Sequence, residues 1–544
     1  MKIALAQLNY TVGDFESNAF KIKEAIVTAK KNKTDLIIFS ELALTGYPPN
    51  DLLDYPAFTE TALEELDKIA DACQGITAII GAPGVRIGHG KKITNAAYII
   101  KDGAIDNFIN KTLLPTYDVF DEARYFEPNT DFDIVEVNGV KLAVTICEDI
   151  WDVSNLYSYK VHPLDKLLPK KPDLIINISA SPYSQKHHNE RLEIIQANCL
   201  KYNLPLIYVN QTGANTDLIF DGGSVAYNKD GTPALQMPFF EENISYVEFN
   251  NGIITTSEQS HKVEEPIARI HDALVLGIKD FFAKQGFKKA LLGSSGGIDS
   301  AVVNALAVEA LGKENVLSVL LPSVYTSDDS NNDAVKLANN LGNEYISVPI
   351  KEAVTAFEAT LAPHFKGLKA DVTEENIQSR SRGVFLMALS NKLGGILLNT
   401  SNKSELAVGY STLYGDLNGG ISVLGDVYKT QVYELAKYMN RDREIIPANI
   451  ITKAPTAELR PNQKDSDSLP EYDILDKILH YFLELRYNKA AIIAKGFNEE
   501  VVSKTLHLVN LSEYKRYQGP PILRISDKAF GIGRRVPIVA GKKF

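Results

Sequence analysis

In the first half of the chain, short apolar runs alternate with longer amphipathic stretches. Runs such as KIALAQL and DLIIFSE have the length and the bounding polar residues of strands. Residues 16–33 and 59–73 carry apolar positions at helical spacing, and 224–236 predicts a hairpin around Asp230-Gly231. The predicted strands are 2–8, 35–41, 76–82, 96–103, 141–147, 173–179 and 205–211. This half is therefore expected to be a β-rich α/β domain.

The second half alternates strands and helices more regularly. Its predicted strands are KALLG, NVLSVLLP, YISVPI and GILLNTSN, and its predicted helices run to residue 311, over 327–341 and over 374–393. Nearly continuous apolar strands separated by helices indicate a parallel sheet with both faces covered. Residues 250–266 are polar and lose the periodicity, so we place the boundary there, with domains 1–260 and 261–544.

Composition and charge exclude several classes of protein. A chain of 544 residues with 45% hydrophobic residues is expected to form two or more globular domains. The net charge of −11 argues against non-specific nucleic-acid binding or an anionic membrane surface, and no apolar run approaches the length of a membrane span. The three cysteines have no short spacing, which favours a reduced, cytoplasmic protein without a zinc site or disulfides.

The stretch KKALLGSSGGIDSAVV places a Ser- and Gly-rich turn between a strand and a helix. Ile298, Val302, Ala305 and Val308 predict one apolar face for that helix. Free N–H groups at a helix start bind anions, and an Asp inside such a loop suits a divalent cation that bridges to phosphate. The sequence therefore predicts a nucleoside triphosphate with magnesium; a Gly-rich turn with an Asp helix cap is the alternative. The candidate residues are Gly293, Ser294, Ser295, Gly296, Gly297, Ile298, Asp299 and Ser300.

The motif SGGIDS resembles the pyrophosphate loop of the ATP pyrophosphatases, the adenine nucleotide alpha hydrolase-like enzymes. With ENIQSRSRG, NTSNKSE, GYSTLYGD, GDVYKTQVYELA and PTAELRPNQKDSDSLPEYD, it resembles the NAD synthetase family over residues 268–544. The resemblance implies that the loop and Thr400 bind ATP, and that Asp299 and Glu405 hold Mg²⁺. It also implies that Asn376, Glu405 and Lys515 bind deamido-NAD.

The same resemblance implies that Lys464 and Asp465 lie on a loop that covers the reacting centre. Relatives commonly have an Asp-Glu pair in this loop, whereas this chain reads Asp465-Ser466-Asp467. The segment that contains the pair, 453–470, is rich in Pro and charge, which is typical of an active-site loop.

Glu41, Lys111 and Cys147 lie at or near the ends of predicted strands in the first half. A cysteine attacks only as the thiolate, so it needs a base and a nearby cation. Glu41 could accept the proton, and Lys111 could stabilise the thiolate and an oxyanion. Taken singly, a strand-end Cys is more often a small core residue, and Cys73 and Cys199 are best interpreted that way.

The surrounding motifs resemble the amidase branch of the nitrilase superfamily. They are LAQLNYTVGDFESN, NKTLLPTYDVFDEARYF, ICEDIW and NISASPYSQKHHNER. The resemblance implies an α-β-β-α sandwich in which Glu41 is the general base, Lys111 stabilises the intermediate and Cys147 attacks the amide of glutamine. Glu122 would assist, and Tyr117 and Ser181 would hold glutamine. Relatives often have a basic residue six positions after that serine; here His187 occupies the position, with Lys186 beside it.

The two halves together are similar to the glutamine-dependent NAD synthetase family. That similarity implies hydrolysis of glutamine, ATP- and Mg²⁺-dependent adenylation of deamido-NAD, and displacement of AMP by ammonia. It also implies homo-oligomers formed through the synthetase domain, while the net charge and the lack of a long apolar run predict no nucleic-acid or membrane partner. Because free ammonia is lost by diffusion, we expect an enclosed path and coupled activities.

Two alternatives stay open. One is another enzyme on the same ATP loop, such as a GMP- or asparagine-synthesising amidotransferase. The other is an ammonia-only synthetase whose N-terminal half is a scaffold.

Overall fold

The computed structural model describes residues 1–86, 89–153, 159–461 and 463–541; Asn462 of the predicted active-site loop lies outside them. The chain divides into two compact units, Met1–Glu264 and Glu265–Phe544, which are described separately. None of the described helices combines the length and the apolar character needed to cross a membrane.

The first unit contains two stacked sheets. Its strands are β1 (Lys2–Gln7), β2 (Leu36–Ile38), β3 (Thr77–Val85), β4 (Ile93–Lys101), β5 (Ala104–Asn110), β6 (Val135–Val137), β7 (Val140–Ile146), β8 (Leu174–Ser179), β9 (Leu206–Asn210), β10 (Thr212–Asn215), β11 (Leu218–Asp221), β12 (Val225–Tyr227), β13 (Pro233–Gln236), β14 (Asn243–Asn250) and β15 (Ile253–Thr255). One sheet has the order β15-β14-β1-β2-β3-β4-β5 and the other β13-β12-β9-β8-β7-β6, while β10 and β11 form a separate ribbon. Each predicted strand of this half is present, as is the predicted hairpin.

Helices cover the outer faces of both sheets. They are α1 (Phe15–Lys31), α2 (Pro56–Ala70), α4 (Pro163–Leu167) and α5 (His187–Tyr202), whereas the short α3 (Glu122–Tyr125) packs with Leu42 and Tyr47. Apolar residues of the two sheets, such as Leu5 and Ile176, share one core between them. Ile22 of α1 packs on the outer face of the first sheet, and Ile195 of α5 on that of the second. The unit is thus the α-β-β-α sandwich that the nitrilase resemblance implied.

The second unit has one parallel sheet. Its strands are β16 (Ala290–Gly293), β17 (Val316–Leu320), β18 (Glu344–Ser347), β19 (Ile396–Asn399) and β20 (Ile421–Ser422). Their order is β18-β17-β16-β19-β20, and all neighbouring pairs are parallel. The chain leaves β16 toward β17 and later returns to the other side of β16 as β19. In such sheets the crevice at the carboxyl ends of these two strands is where ligands bind.

Helices lie on both faces of this sheet and form a further cluster at the C-terminus. They are α6 (Pro266–Gln285), α7 (Ile298–Leu311), α8 (Asp328–Leu341), α9 (Lys351–Leu361), α10 (Val372–Leu393), α11 (Lys403–Val408), α12 (Lys429–Met439), α13 (Ala448–Thr452), α14 (Tyr472–Leu483), α15 (Lys489–Ile493), α16 (Glu499–Leu511) and α17 (Glu513–Arg516). The α/β class and the parallel sheet of the second half are confirmed.

Two local predictions were incomplete. Helix α7 was expected to bury one face, yet Ile298 and all of residues 300–307 are buried, because α6 and α12 pack on the side of α7 away from the sheet. The polar segment 250–266 was expected to be irregular, but it contains β15, which pairs with β14 at the edge of the first sheet. An edge strand needs only one apolar face, so its pattern is weak.

Candidate functional site

Three strand ends of the first unit carry the predicted catalytic residues. Glu41 follows β2 by three residues, and Lys111 and Cys147 come directly after β5 and β7. Glu41 and Lys111 are fully buried, and Cys147 is 5% exposed. Lys111 Nζ lies 2.7 Å from Glu41 Oε1. The structure therefore brings together residues that are far apart in the sequence.

A second carboxylate contacts the same lysine. Lys111 Nζ lies 2.8 Å from a carboxylate oxygen of Glu122, and the hydroxyl of Tyr47 donates to Glu122 over 2.8 Å. Burial alone would lower the pKa of Lys111, but the attraction of Glu122 and Glu41 raises it well above its usual value. Burial, only partly offset by Lys111, raises the pKa of Glu122 to about 7. Lys111 is therefore a permanent cation at this site.

Glu41 is held on both of its oxygens. Its Oε1 also accepts a hydrogen bond from Asn95 Nδ2 at 2.7 Å, and its Oε2 accepts one from the backbone N–H of Ala180 at 2.9 Å. Three donors around a buried carboxylate fix its orientation. Such a carboxylate can accept a proton from a neighbouring thiol.

Cys147 occupies a sharp turn between β7 and a 3₁₀ turn, Cys147–Ile150. Its φ is +42°, a left-handed conformation that is uncommon for residues other than glycine and that clusters at functional sites. Burial first, and then the charge of Glu41, raise the pKa of the thiol well above its usual value, against the opposing effect of Lys111. The thiol is therefore protonated at neutral pH and needs a base to become a nucleophile.

The carboxylate of Asp149, which the sequence analysis missed, joins two of these segments. Its Oδ1 accepts the N–H groups of Thr112 at 3.0 Å and Leu113 at 2.8 Å, and its Oδ2 accepts that of Ile146 at 3.0 Å. The residue after Lys111 and the residue before Cys147 are thus bound to one side chain. Burial raises the pKa of Asp149 to about 7, although these N–H groups oppose the shift.

Two of the residues predicted to hold glutamine, Ser181 and His187, contact each other. Ser181 Oγ lies 3.0 Å from His187 Nε2, and the His187 ring stacks on Trp151 with 4.5 Å between centroids. Lys186 is exposed at the start of α5. Of the two basic residues that the sequence left open, His187 is therefore the one in contact with Ser181.

Tyr117 contacts Glu148, a second residue that could not be assigned from the sequence. Its hydroxyl donates to Glu148 Oε2 at 2.9 Å, and that of Tyr159 donates to Glu148 Oε1 at 3.1 Å. Glu148 is buried, which raises its pKa. The sequence feature that could have identified Glu148 is its position directly after Cys147.

In the second unit, the predicted phosphate loop is a strand-to-helix turn between β16 and α7. Gly296 has φ of +73°, and a Cβ there would come within 2.1 Å of the carbonyl oxygen of Ser330, so only glycine fits. The hydroxyls of Ser295 and Ser300 lie 3.2 Å apart. The buried hydroxyl of Ser294 has no hydrogen-bond partner among the described residues, which suits a loop that awaits a polar ligand.

A cavity of about 280 Å³ opens above this loop. The predicted residues that line it are Gly293, Ser294, Ser295, Gly297, Ile298, Asp299, Ser300, Thr400, Glu405 and Asp465. Lys464, by contrast, is exposed. The end of β16 leads to the phosphate loop and the end of β19 to Thr400 and Glu405, so the crevice between neighbouring strands assembles the site.

Two carboxylates and a lysine converge in this cavity. Lys429 Nζ lies 2.5 Å from Asp299 Oδ2 and 3.5 Å from Glu405 Oε1. Asn402 Nδ2 donates to Asp299 Oδ1 at 2.9 Å. Burial first, and then the charges of Asp299 and Asp465, raise the pKa of Glu405 to about 8, against the effect of Lys429. Lys429 was missed, although it lies inside the quoted motif GDVYKTQVYELA.

The donor set suits magnesium. Carboxylate oxygens are the ligands that Mg²⁺ prefers, and it is usually bound by one or two carboxylates together with substrate phosphates. Asp299 and Glu405 supply two, and the described residues include no cluster of three metal-ligating side chains. These residues would therefore hold the ion jointly with a phosphate bound at the loop.

Asn376 and Lys515 meet at the segment 409–416. Asn376 Oδ1 accepts from the hydroxyl of Thr412 at 2.8 Å, and Lys515 Nζ donates to the carbonyl oxygens of Gly409 at 2.8 Å and Ser411 at 2.7 Å. Neither side chain lines the cavity above the phosphate loop, although Tyr410 and Asp416 of the same segment do. Burial lowers the pKa of Lys515.

Comparisons with known proteins match both units. The family model of the carbon-nitrogen hydrolases matches residues 2–257, and that of NAD synthase matches residues 270–519. A glutamine-dependent NAD(+) synthetase of Synechocystis sp. is 46% identical over 98% of both chains, and one of Acinetobacter baylyi is 44% identical over 99% of this chain and 98% of its own.

Solved structures agree with these matches. The glutamine-dependent NAD+ synthetase of Acinetobacter baumannii, in complex with ADP, is 40% identical, covers 100% of this chain and 99% of its own, and superposes with a TM-score of 0.79. The enzyme of Cytophaga hutchinsonii, 22% identical, shares the fold with a TM-score of 0.85 and covers 100% of this chain and 98% of its own. The chain belongs to the family of glutamine-dependent NAD(+) synthetases.

Proposed function

We propose that this chain hydrolyses glutamine in residues 1–260 and uses the ammonia in residues 261–544 to convert deamido-NAD to NAD. The observation that carries the proposal is the fully buried contact between Lys111 and Glu41 beside the strained, buried Cys147. A scaffold would have no reason to bury a lysine between two carboxylates next to a thiol, because such burial is costly.

In the first reaction, Glu41 takes the thiol proton of Cys147 as its sulfur attacks the side-chain amide carbon of glutamine. Lys111 stabilises the oxyanion that forms, and the proton passes to the leaving nitrogen, which departs as ammonia. Glu41 then deprotonates a water molecule that attacks the carbonyl carbon of the γ-glutamyl thioester, the C–S bond breaks to release glutamate, and the proton returns from Glu41 to the sulfur of Cys147. Glu122 fixes the position of Lys111.

Glutamine recognition is proposed to use both ends of the substrate. Ser181 and His187 form one polar pair, suited to the α-carboxylate because His187 can carry a positive charge. The buried carboxylate of Glu148, oriented by Tyr117, suits the α-ammonium group. Lys186 is exposed, and we assign it a smaller part.

In the second reaction, the carboxylate of deamido-NAD attacks the α-phosphorus of ATP, pyrophosphate leaves, and ammonia displaces AMP. The loop from Gly293 to Ser300 and Thr400 would bind ATP, and Asn376, Glu405 and Lys515 would bind deamido-NAD. Mg²⁺, bound by Asp299 and Glu405, would neutralise phosphate charge. Lys429 already contacts both of these carboxylates and would move to phosphate oxygens when ATP binds.

The test is NAD formation from deamido-NAD, ATP and Mg²⁺, measured in parallel with glutamine and with ammonium chloride. We expect product with both donors, and the Cys147→Ala variant should keep only the ammonium-driven reaction. Loss of both reactions in this variant would contradict the division of labour. If the activities are coupled, glutamate release should accelerate when ATP and deamido-NAD are added.

We also propose a cytoplasmic homo-oligomer. Cys147 has to stay reduced to act, which suits a reducing compartment. Helices α9 and α10 expose apolar side chains, including Phe357, Val384 and Met387, at 49%, 59% and 38%. Exposed apolar residues on adjacent helices are typical of subunit contacts. Light scattering that gives the mass of one chain would exclude this assembly.

A further inference from the structure

A ring of buried polar contacts lies behind the residues proposed to bind glutamine. Asn210 ends β9 and is fully buried. Its Oδ1 accepts the backbone N–H of Ser181 at 2.9 Å, and its Nδ2 donates to the carbonyl oxygen of Ser181 at 3.1 Å. One side chain thus holds both backbone polar groups of Ser181, because a carboxamide carries an acceptor oxygen and a donor nitrogen side by side.

The other side of the Asn210 amide faces a buried ion pair. Its Nδ2 also donates to the carbonyl oxygen of Gly222 at 3.1 Å and lies 3.4 Å from Asp221 Oδ1. Both oxygens of Asp221 accept from Arg191 Nη2, at 2.9 and 2.7 Å, and Arg191 Nη1 donates to Gly222 at 3.2 Å. The planar guanidinium thus contacts Asp221 and Gly222 through two different nitrogens, which fixes the position of each relative to the other.

The ring closes through helix α5. Arg191 lies one turn after His187, the first residue of α5, and His187 Nε2 lies 3.0 Å from Ser181 Oγ. Arg191 and Asp221 are each 1% exposed. The hydrogen-bonded path Ser181, Asn210, Asp221, Arg191, α5, His187 therefore returns to its starting point without depending on solvent.

We infer that Asn210 is a positioning residue for glutamine recognition, which fixes Ser181 against His187 through the Asp221–Arg191 pair. The inference rests on the proposed function of the first unit. Asn210 does not touch the substrate in this scheme; it sets the distance between the two groups that do. Glutamine affinity should therefore depend on Asn210 more strongly than the chemical step does.

The chain offers a matched control. Asn18, 1% exposed in the same unit, holds Thr11 in the same way, with its Oδ1 on the N–H at 3.0 Å and its Nδ2 on the carbonyl oxygen at 2.8 Å. Its Nδ2 also donates to Leu44 at 3.0 Å, as Asn210 does to Gly222. Asn18→Ala and Asn210→Ala thus remove the same three kinds of hydrogen bond, and Asn210→Ala removes in addition the longer contact with Asp221 Oδ1 at 3.4 Å.

The test measures KM and kcat for glutamate release by the full-length protein with ATP and deamido-NAD present. Loss of the two bonds to Ser181 should raise the glutamine KM of Asn210→Ala about tenfold, with a smaller change in kcat. Asn18→Ala should keep KM within about twofold of the unmodified protein while it lowers the melting temperature by a similar amount.

Arg191→Lys is the second variant, because it keeps the buried charge but has one nitrogen where the guanidinium uses two, Nη2 on Asp221 and Nη1 on Gly222. We expect Arg191→Lys to raise the glutamine KM several-fold. If Asn210→Ala does not fold, this variant tests the inference by itself. Equal KM values for the Asn210→Ala and Asn18→Ala variants, or an unchanged KM in Arg191→Lys, would overturn the inference. Absence of glutamate release from the unmodified protein would instead overturn the proposed function, and this inference with it.

Discussion

Replacement of Lys111 by Met removes the cation from a site that retains two buried carboxylates. Lys111 Nζ lies 2.7 Å from Glu41 and 2.8 Å from Glu122, and the side chains of all three are at most 5% exposed. Breaking a buried ion pair by removing one partner costs about 3–5 kcal/mol, because the other charge stays buried without compensation. We expect a loss of stability of this size near neutral pH.

The size of the loss should depend on pH in a specific way. Folding raises the pKa of Glu122 from 4.5 to about 7, so the folded state binds this proton more tightly, and stability is lost as pH rises through that range. As the pH rises from about 6 to about 8, deprotonation of this carboxyl should lower the stability of the unmodified protein by about 1 kcal/mol. Without Lys111 the pKa of Glu122 should rise further, so the loss over the same interval should be larger, up to a limit of about 3 kcal/mol.

Urea unfolding followed by tryptophan fluorescence measures this difference. Trp151 is the only tryptophan of the chain, is 3% exposed and lies in the first unit, close to Cys147. Lys170→Met is the control, because Lys170 pairs with Asp133 at the surface, and such pairs contribute about 0–1 kcal/mol. The same pH dependence for Lys111→Met and for the unmodified protein would refute the reasoning.

The activity of Lys111→Met provides an independent check. Glutamine-dependent NAD formation should fall by at least about a hundredfold, the typical effect of removing one group that stabilises an oxyanion. Ammonium-driven formation should be unchanged, because the second unit is not altered. Retention of glutamine-dependent activity would mean that Lys111 contributes to stability but not to catalysis.

Three further predictions concern both units. Gly296→Ala places a Cβ 2.1 Å from the carbonyl oxygen of Ser330, so the KM for ATP should rise at least about tenfold with either nitrogen donor; an unchanged KM would contradict the phosphate-loop assignment. Glu405→Gln should raise the Mg²⁺ concentration for half-maximal ammonium-driven synthesis about tenfold, and an unchanged requirement would remove Glu405 from the metal site. Because the pKa of Cys147 is raised, its alkylation by iodoacetamide should accelerate steadily from pH 7 to pH 9, and a pH-independent rate would indicate a preformed thiolate.

Cysteine chemistry shows how much of a site the sequence could predict. The motifs around Cys147 distinguished it, in the sequence, from Cys73 and Cys199, which were predicted to be core residues. In the structure these two are fully buried in the cores that α2 and α5 form with the sheets. Burial raises the pKa of each of these two thiols to about 12. Asp149 and Glu148 could not be assigned in the same way, because a carboxylate in a motif does not indicate which backbone groups or hydroxyls it will meet.

The cavity of the second unit shows the same limit. The glycines, serines and Asp299 of the loop could be predicted, because a strand followed by a Gly-rich turn and a helix dictates a local geometry. Lys429 could not, since its contacts with Asp299 and Glu405 span 130 and 24 residues of sequence. Such contacts follow from the order of parallel strands, which is a property of the whole sheet.

The sequence by itself determined the periodicity of strands and helices, the phosphate loop, and the residue types that its two family resemblances required. These features are local, because they depend on side-chain spacing and on the backbone freedom of a few glycines. Only the tertiary structure decided that Lys111 lies between two carboxylates, that His187 rather than Lys186 contacts Ser181, and that Asn210 holds Ser181 in a closed ring. These contacts join residues on different strands and helices, and burial in a common core gives them their distances and their shifted pKa values.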